Sequence, residues 1–221
     1  KKVLCISTSS VYGIPVELPI TESTKLTPLG EYGWSKYDAE QVIQQFRKDH
    51  PLDVSIVRPR TIIGTGRMGI FGILFDWIAA GKRIPILGKG NNLFQFISAP
   101  DLADACWLIA SKHCKNEDFV LGTDVYGTVK SDLQALVDHA GKGGGILPLN
   151  AFVVRNILRV VDWMKISPLV DWHYKTPHKP FYFDITKAKT MLGWQPKDSN
   201  VSMLTETYDW YMKNREWLNK Q

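Results

Sequence analysis

Two apolar runs, Val3-Leu4-Cys5-Ile6 and Val54-Ser55-Ile56-Val57, bracket a stretch with helical spacing, and this order of strand, helix and strand constrains the chain more than any other feature. The first run breaks into Ser7-Thr8-Ser9-Ser10 and then Val11-Tyr12-Gly13. The second, opening at Asp53, ends in Arg58-Pro59-Arg60-Thr61-Ile62-Ile63-Gly64. Short apolar runs that stop at polar loops read as buried parallel strands, and parallel neighbours need a crossover, usually a helix. A βαβ unit follows, with ligands expected at the carboxyl ends of its strands.

Inside the crossover, Tyr32 and Lys36 stand four residues apart in Glu31-Tyr32-Gly33-Trp34-Ser35-Lys36-Tyr37-Asp38-Ala39-Glu40, so on a helix they share a face. A free tyrosine has a pKa of about 10, too high for a base near neutrality, and a cation fixed beside it is the simplest way to favour the phenolate. Lys36 is placed to be that cation. Such pairs are common on exposed helices, and it is the flanking strand ends that make this one a candidate site. Farther along, the spacing of Val42, Ile43 and Phe46 predicts a buried stripe, and Pro51 lies just past the helix end.

The remaining chain alternates in the same way. A helix apolar on more than one face is expected over Arg67 to Lys82. A strand over Arg83 to Leu87 is expected to turn at Gly88-Lys89-Gly90-Asn91-Asn92 into Leu93 to Ile97. Pro100 to Ser111 reads as a helix facing the core through Leu102, Ala105, Cys106 and Ile109. Phe119-Val120-Leu121 reads as a strand, Thr128 as the cap of a helix that stops at Gly141, and Ile146 to Leu149 as a short strand. Ala151 to Lys165 is a strongly apolar helix that fits a core element, a lid, or an interface or membrane-surface element. Asp184 caps a helix ending at Gly193, and Val201 to Leu218 closes the chain with an aromatic stripe best explained by packing.

Taken together, several blocks resemble the extended short-chain dehydrogenase/reductase family, the NAD-dependent sugar epimerases and dehydratases. They are Ser7 to Gly13; Pro19-Ile20-Thr21-Glu22 followed by Tyr32-Gly33-Trp34-Ser35-Lys36 and Ala39-Glu40; Arg58-Pro59 leading to Gly64; Gly88-Lys89-Gly90 before Asp101-Leu102-Ala103-Asp104-Ala105; and Leu192-Gly193-Trp194-Gln195-Pro196. The resemblance implies an α/β fold, part of a doubly wound, Rossmann-type parallel sheet with a smaller mixed α/β substrate lobe. It implies that residues 1–66 are the C-terminal part of a dinucleotide-binding domain and that 67–221 are mostly the substrate lobe, with 94–125 returning to the sheet.

The same resemblance assigns roles. Tyr32 is the catalytic acid/base, Lys36 its electrostatic partner, and Thr8 the hydroxyl on the reacting oxygen. Tyr32, Lys36, Ser7, Pro59, Arg60 and Thr61 lie along the cofactor, NAD or NADP, and Ser9, Ser10, Thr61, Arg67 and Phe94 along the substrate. Dehydratases of the family carry an acidic pair where Ser9 and Ser10 stand, which argues against dehydration. Phe94 and Gln95 stand where nucleotide-sugar enzymes resemble Arg-Asp, so the diphosphate loses its guanidinium fork, and a less charged hydroxy or keto substrate gains weight. The expected function is an NAD(P)-dependent, epimerase-like oxidoreductase with transient hydride transfer. A dehydrogenase or reductase of a non-nucleotide substrate, or a redox-inactive binding or assembly subunit, stands as the alternative.

A strand followed by G-x-G-x-x-G, the usual opening of a dinucleotide-binding fold, is absent. Gly141-Lys142-Gly143-Gly144-Gly145 follows a helix pattern and reads as a stop. The chain is therefore expected to be a C-terminal portion that binds the cofactor weakly by itself. Cys5, Cys106 and Cys114 are odd in number and lack metal-site spacing, and none of the five histidines shows zinc-ligand spacing, so no metal is expected. The net charge of +5 is scattered, which points away from nucleic acid, and no apolar run approaches the roughly 20 residues of a membrane span. A small-molecule substrate, a cytoplasmic location and a homodimer complete the expectations.

Overall fold

The computed structural model describes residues 2–66, 71–112, 114–150 and 179–218. In chain order its elements are β1 (Lys2–Ile6), a 3-10 turn (Ser9–Tyr12), α1 (Gly30–Asp49), β2 (Asp53–Pro59), β3 (Thr61–Ile63), α2 (Phe71–Ala79), β4 (Arg83–Leu87), β5 (Phe96–Ser98), α3 (Ala99–Ser111), β6 (Asp118–Leu121), α4 (Val129–Ala140), β7 (Gly145–Leu149), α5 (Thr186–Leu192) and α6 (Asn200–Leu218). They fall into two compact units.

The first unit comprises Lys1–Ile62, Gln95–Asp124 and Phe181–Lys197. Its sheet runs β1-β2-β6, both pairings parallel, with Ile6 opposite Val57 and Pro59 opposite Leu121. The central strand β2 is buried from Val54 to Pro59, as a strand covered on both faces must be. Across the β2–β6 ladder Val57 lies opposite Phe119 and Arg58 opposite Val120, while α3 packs on β1 and β2 and α5 packs on β6 and α3. The parallel α/β sheet is as expected, and β1, α1 and β2 form the expected βαβ unit.

The expected helix over Pro100 to Ser111 begins one residue earlier because Ser98 is its N-cap, accepting from the Asp101 N–H at 3.1 Å. Asp101 accepts from the Lys197 N–H with both carboxylate oxygens at 3.0 Å, and its carbonyl takes the indole N–H of Trp194 at 3.1 Å. These bonds give the Leu192-Gly193-Trp194-Gln195-Pro196 block a structural role.

The stripe expected on α1 is a correction. Val42 is 70% exposed and Phe46 36%, and the residues that α1 buries are Gly33 and Glu40. Apolar spacing marked a face, but polar anchors turn a different face toward the sheet.

The second unit comprises Ile63–Phe94, Val125–Pro180 and Asp198–Gln221. Here β4 pairs in parallel with β7, Arg83 opposite Gly145 and Leu87 opposite Leu149. The expected turn from Arg83–Leu87 into a neighbouring strand is therefore not a hairpin. Leu93 instead makes an isolated bridge to Thr128. Thr128 caps α4 through a reciprocal box with Ser131, and Gly141 ends it in the left-handed conformation, both as expected. Phe75 of α2 packs against Tyr208 and Tyr211 of α6, and Tyr211 donates its hydroxyl to Asp76 at 2.8 Å, so these two tyrosines of the aromatic stripe are core while Trp217 is exposed. The apolar segment Ala151 to Lys165 lies outside the described residues. Among those described, no helix is long and apolar enough to cross a membrane, and no group of three His, Cys, Asp or Glu could hold a metal ion.

Candidate active site

The site is built where β1 stops. The Ser7 N–H still bonds the Val57 carbonyl at 2.7 Å, continuing the ladder, and the chain then leaves the sheet. Thr8 is extended and caps the 3-10 turn, accepting from the Ser10 N–H at 3.2 Å while its hydroxyl donates to Ser10 Oγ at 3.3 Å. The Thr8 hydroxyl is thus oriented from both sides. Gly13 closes the turn at φ +58, where a Cβ would fall onto the Thr27 carbonyl. That contact is part of a clasp in which the Thr27 N–H bonds the Val11 carbonyl at 2.9 Å and its hydroxyl the Tyr12 carbonyl at 2.8 Å. Held this way, the loop delivers the chain to the start of α1.

Gly33 on the first turn of α1 faces the Ser10 carbonyl, 3.1 Å from where a Cβ would sit, so the glycine lets the helix approach the turn closely. Tyr32 is 59% exposed, and its hydroxyl makes no hydrogen bond within the described residues. One turn on, Lys36 Nζ donates to the Ile6 carbonyl at 3.3 Å. This places the ammonium at the carboxyl end of β1, beside Ser7. The Ser7 hydroxyl is buried and has no hydrogen-bond partner among the described residues. A buried hydroxyl left this way costs about 1–3 kcal/mol unless a ligand satisfies it, and beside a lysine ammonium it suits the hydroxyls of a cofactor ribose.

Pro59 ends β2 opposite Leu121, and the next residue, Arg60, is fully buried. Its Nη1 donates to Ser9 Oγ at 3.1 Å, its Nε to the Gln95 carbonyl at 3.1 Å, and its guanidinium lies 4.1 Å from the Phe181 ring centroid. Burial pulls its pKa down to about 9, which leaves it cationic at neutral pH. Thr61 opens β3 in the same unit. The structure thus places Ser7, Thr8, Ser9, Ser10, Tyr32, Lys36, Pro59, Arg60 and Thr61 in the first unit. Phe94 belongs to the second, half-buried, its N–H on the Gly127 carbonyl at 3.3 Å and its carbonyl accepting from Asn200 Nδ2 at 2.6 Å. Arg67 lies outside the described residues.

The charges beneath α1 form a network that the sequence pattern does not announce. Arg58 donates Nε to both oxygens of Glu40, at 3.0 and 3.1 Å, and Nη2 to Glu40 Oε2 at 2.7 Å and Asp118 Oδ2 at 3.0 Å. Its Nη1 reaches the Tyr12 hydroxyl at 3.2 Å. Arg47 completes the group, with Nη2 on Asp118 Oδ1 at 2.7 Å. Burial alone would lower the Arg58 pKa, but the hydrogen bonds to Glu40 and the charges of Glu40 and Asp118 outweigh it and hold the guanidinium charged. Burial pushes the Tyr12 phenol up to about 12, so it stays neutral beside Arg58. An arginine inside an apolar strand, and a Glu one turn past Lys36, were the available signals.

The model of the NAD dependent epimerase/dehydratase family matches residues 1–122. The chain belongs to that family. It is 38% identical over its whole length to an uncharacterised protein of Sinorhizobium fredii, of which it covers 55%. It is 30% identical over 99% of its length to a UDP-glucuronate 4-epimerase of Thermodesulfobacterium geofontis, of which it covers 61%. It therefore spans less than two thirds of the length of either relative. Among solved structures it superimposes on a dTDP-glucose 4,6-dehydratase from Bacillus anthracis in complex with NAD, with a TM-score of 0.75 and 23% identity, covering 98% of this chain and 63% of that one. The fold is thus that of the family's epimerases and dehydratases.

Proposed function

We propose that the chain carries the acid/base part of an NAD(P)-dependent, epimerase-like sugar oxidoreductase, with Tyr32 as acid/base, Lys36 as its cationic partner and Thr8 as the hydroxyl on the reacting oxygen. The observation that carries this reading is the Lys36 to Ile6 hydrogen bond, which fixes an ammonium at the carboxyl end of β1 on the same face of α1 as the exposed Tyr32. Lys36 and Ser7 would hold a nicotinamide ribose, for the buried Ser7 hydroxyl and the adjacent ammonium supply both kinds of donor that such a group needs. A bound nicotinamide would supply the hydride chemistry.

The residues of this chain supply the rest. Tyr32 Oη takes the proton from the substrate hydroxyl and gives it back. Thr8 turns its one hydroxyl proton from Ser10 Oγ to the same substrate oxygen, while its oxygen keeps the cap bond from the Ser10 N–H. Epimerase-like chemistry is favoured over dehydration because the two positions after Thr8 carry serine hydroxyls rather than carboxylates, and Ser9 Oγ already accepts from the Arg60 guanidinium. Neither can serve as the acid or base that eliminates water.

A relative named as a UDP-glucuronate 4-epimerase favours nucleotide sugars, against the expectation built on Phe94. The test is Tyr32→Phe in the protein as its gene encodes it, assayed with NAD or NADP against UDP-, GDP- and dTDP-sugars and unactivated hydroxy compounds. Turnover should fall by about 10²–10⁴-fold with cofactor affinity nearly unchanged. A mutant as active as the parent would overturn the assignment. Parental turnover confined to the unactivated compounds would overturn the nucleotide-sugar reading.

A further inference from the structure

We infer that Arg58 is a positioning residue that couples the turn carrying Thr8 to the helix carrying Tyr32 and Lys36, a role that rests on the catalytic reading of those three residues. Tyr32, Lys36 and Glu40 follow one another at four-residue intervals, so they form one stripe down α1. Lys36 is tied to the end of β1 and Glu40 to Arg58 of β2. The helix buries little else, Gly33 and Glu40 being its buried residues, so its rotation about its own axis rests on polar anchors more than on apolar packing.

The same guanidinium also grips the turn. Arg58 Nη1 donates to the hydroxyl of Tyr12, which is fully buried and is the last residue of the turn that Thr8 caps. The arginine carbon lies 5.6 Å from the Tyr12 ring centroid, and that ring packs edge-on against Phe183. Asp118 of β6 accepts from the other side at 3.0 Å. Turn, helix and sheet therefore converge on one fork-shaped group. A lysine, a point charge without the planar fork, cannot reproduce the two-point hold on Glu40 while reaching Tyr12. Arg58 is too deeply buried to touch a substrate, and it acts through Glu40 and Tyr12.

The test compares Arg58→Lys with Glu40→Gln, which keeps the shape and one acceptor, and with Ile109→Ala on α3, a destabilised control away from the clamp. Amide hydrogen exchange on peptides covering 8–13 and 30–40, kcat and KM are measured on each protein as its gene encodes it. Arg58→Lys should raise exchange in both peptides at least tenfold over the control and lower kcat by about ten- to a hundredfold with KM little changed. Glu40→Gln should raise exchange in 30–40 but leave 8–13 protected, because Arg58 keeps Tyr12. It also keeps the inference open to refutation if Arg58→Lys fails to fold. Exchange and kcat like those of the control in whichever variants fold would overturn the inference, and so would faster exchange with parental kcat. An active Tyr32→Phe would instead overturn the catalytic reading, leaving the exchange data to decide the clamp.

Discussion

Lys36 Nζ lies 3.3 Å from the carbonyl oxygen of Ile6, so the last residue of β1 aims the one cation of the Tyr32 stripe. An exposed bond of this kind adds only about 0.5–1.5 kcal/mol to stability. Lys36→Met should leave the unfolding midpoint within a few degrees of the parent while turnover falls by two orders of magnitude or more and NAD affinity drops with it. Denaturant melts beside steady-state kinetics check the split. A loss of stability large enough to account for the loss of activity would make Lys36 a structural residue.

Gly13 is the turn's other requirement. With φ +58, ψ −122 and the Thr27 carbonyl where a Cβ would go, Gly13→Ala combines an unfavourable backbone with an overlap against main chain. The expected cost is at least about 2 kcal/mol in urea unfolding. Gly30→Ala, also at positive φ but with open space around its Cβ, should cost less. Equal costs would mean that the Thr27 clasp adds nothing.

How much of this was readable beforehand depended on the range of the interaction. Strand ends breaking into hydroxyls, Thr128 as a cap and Gly141 and Gly193 as stops are local, set by residues within a few positions of one another, and the structure has them. Two features depend on distant partners and escaped. Apolar spacing predicts a buried Val42–Phe46 face, yet the rotation of α1 is fixed by Glu40 meeting Arg58, eighteen residues away. Likewise turn chemistry predicts a neighbouring partner for Arg83–Leu87, whereas its true partner is Gly145–Leu149, which no turn signal could announce. At the site, Tyr32, Lys36 and Thr8 were legible as a motif, while the Ser9 to Arg60 bond and the Arg58 clamp were not, because a buried arginine in a strand has no local periodicity to mark it.

Arg60 leads to a third expectation. Its flat face lies on Phe181 while its edge serves Ser9 and Gln95, so Arg60→Lys keeps the charge but loses both the stacking and the fork. The loss should be about 1–3 kcal/mol, the cost of leaving the buried Ser9 and Gln95 acceptors without their donor. Because Ser9 adjoins Thr8, kcat should fall as well. Calorimetry and kinetics on the one variant check both. A stable, fully active lysine variant would show that the Ser9 contact is incidental.

Glu22 gives the pH dependence. Its Oε1 accepts from the Val120 N–H of β6 at 3.0 Å, and burial raises its pKa above the ordinary glutamate value, partly opposed by that bond and by Lys187 and Arg58. A carboxyl whose pKa is higher folded than unfolded binds its proton more tightly in the fold. Its stabilising contribution is therefore complete below the unfolded value, about 4.3, and is lost as pH rises through the folded one. Glu22→Gln stays neutral at every pH and keeps an acceptor for Val120. The difference in melting temperature, variant minus parent, should thus be near zero or negative around pH 4 and grow more positive toward pH 7–8. Thermal melts across that range decide it. A difference that moves the other way would mean that the Lys187 and Arg58 charges, rather than burial, govern Glu22.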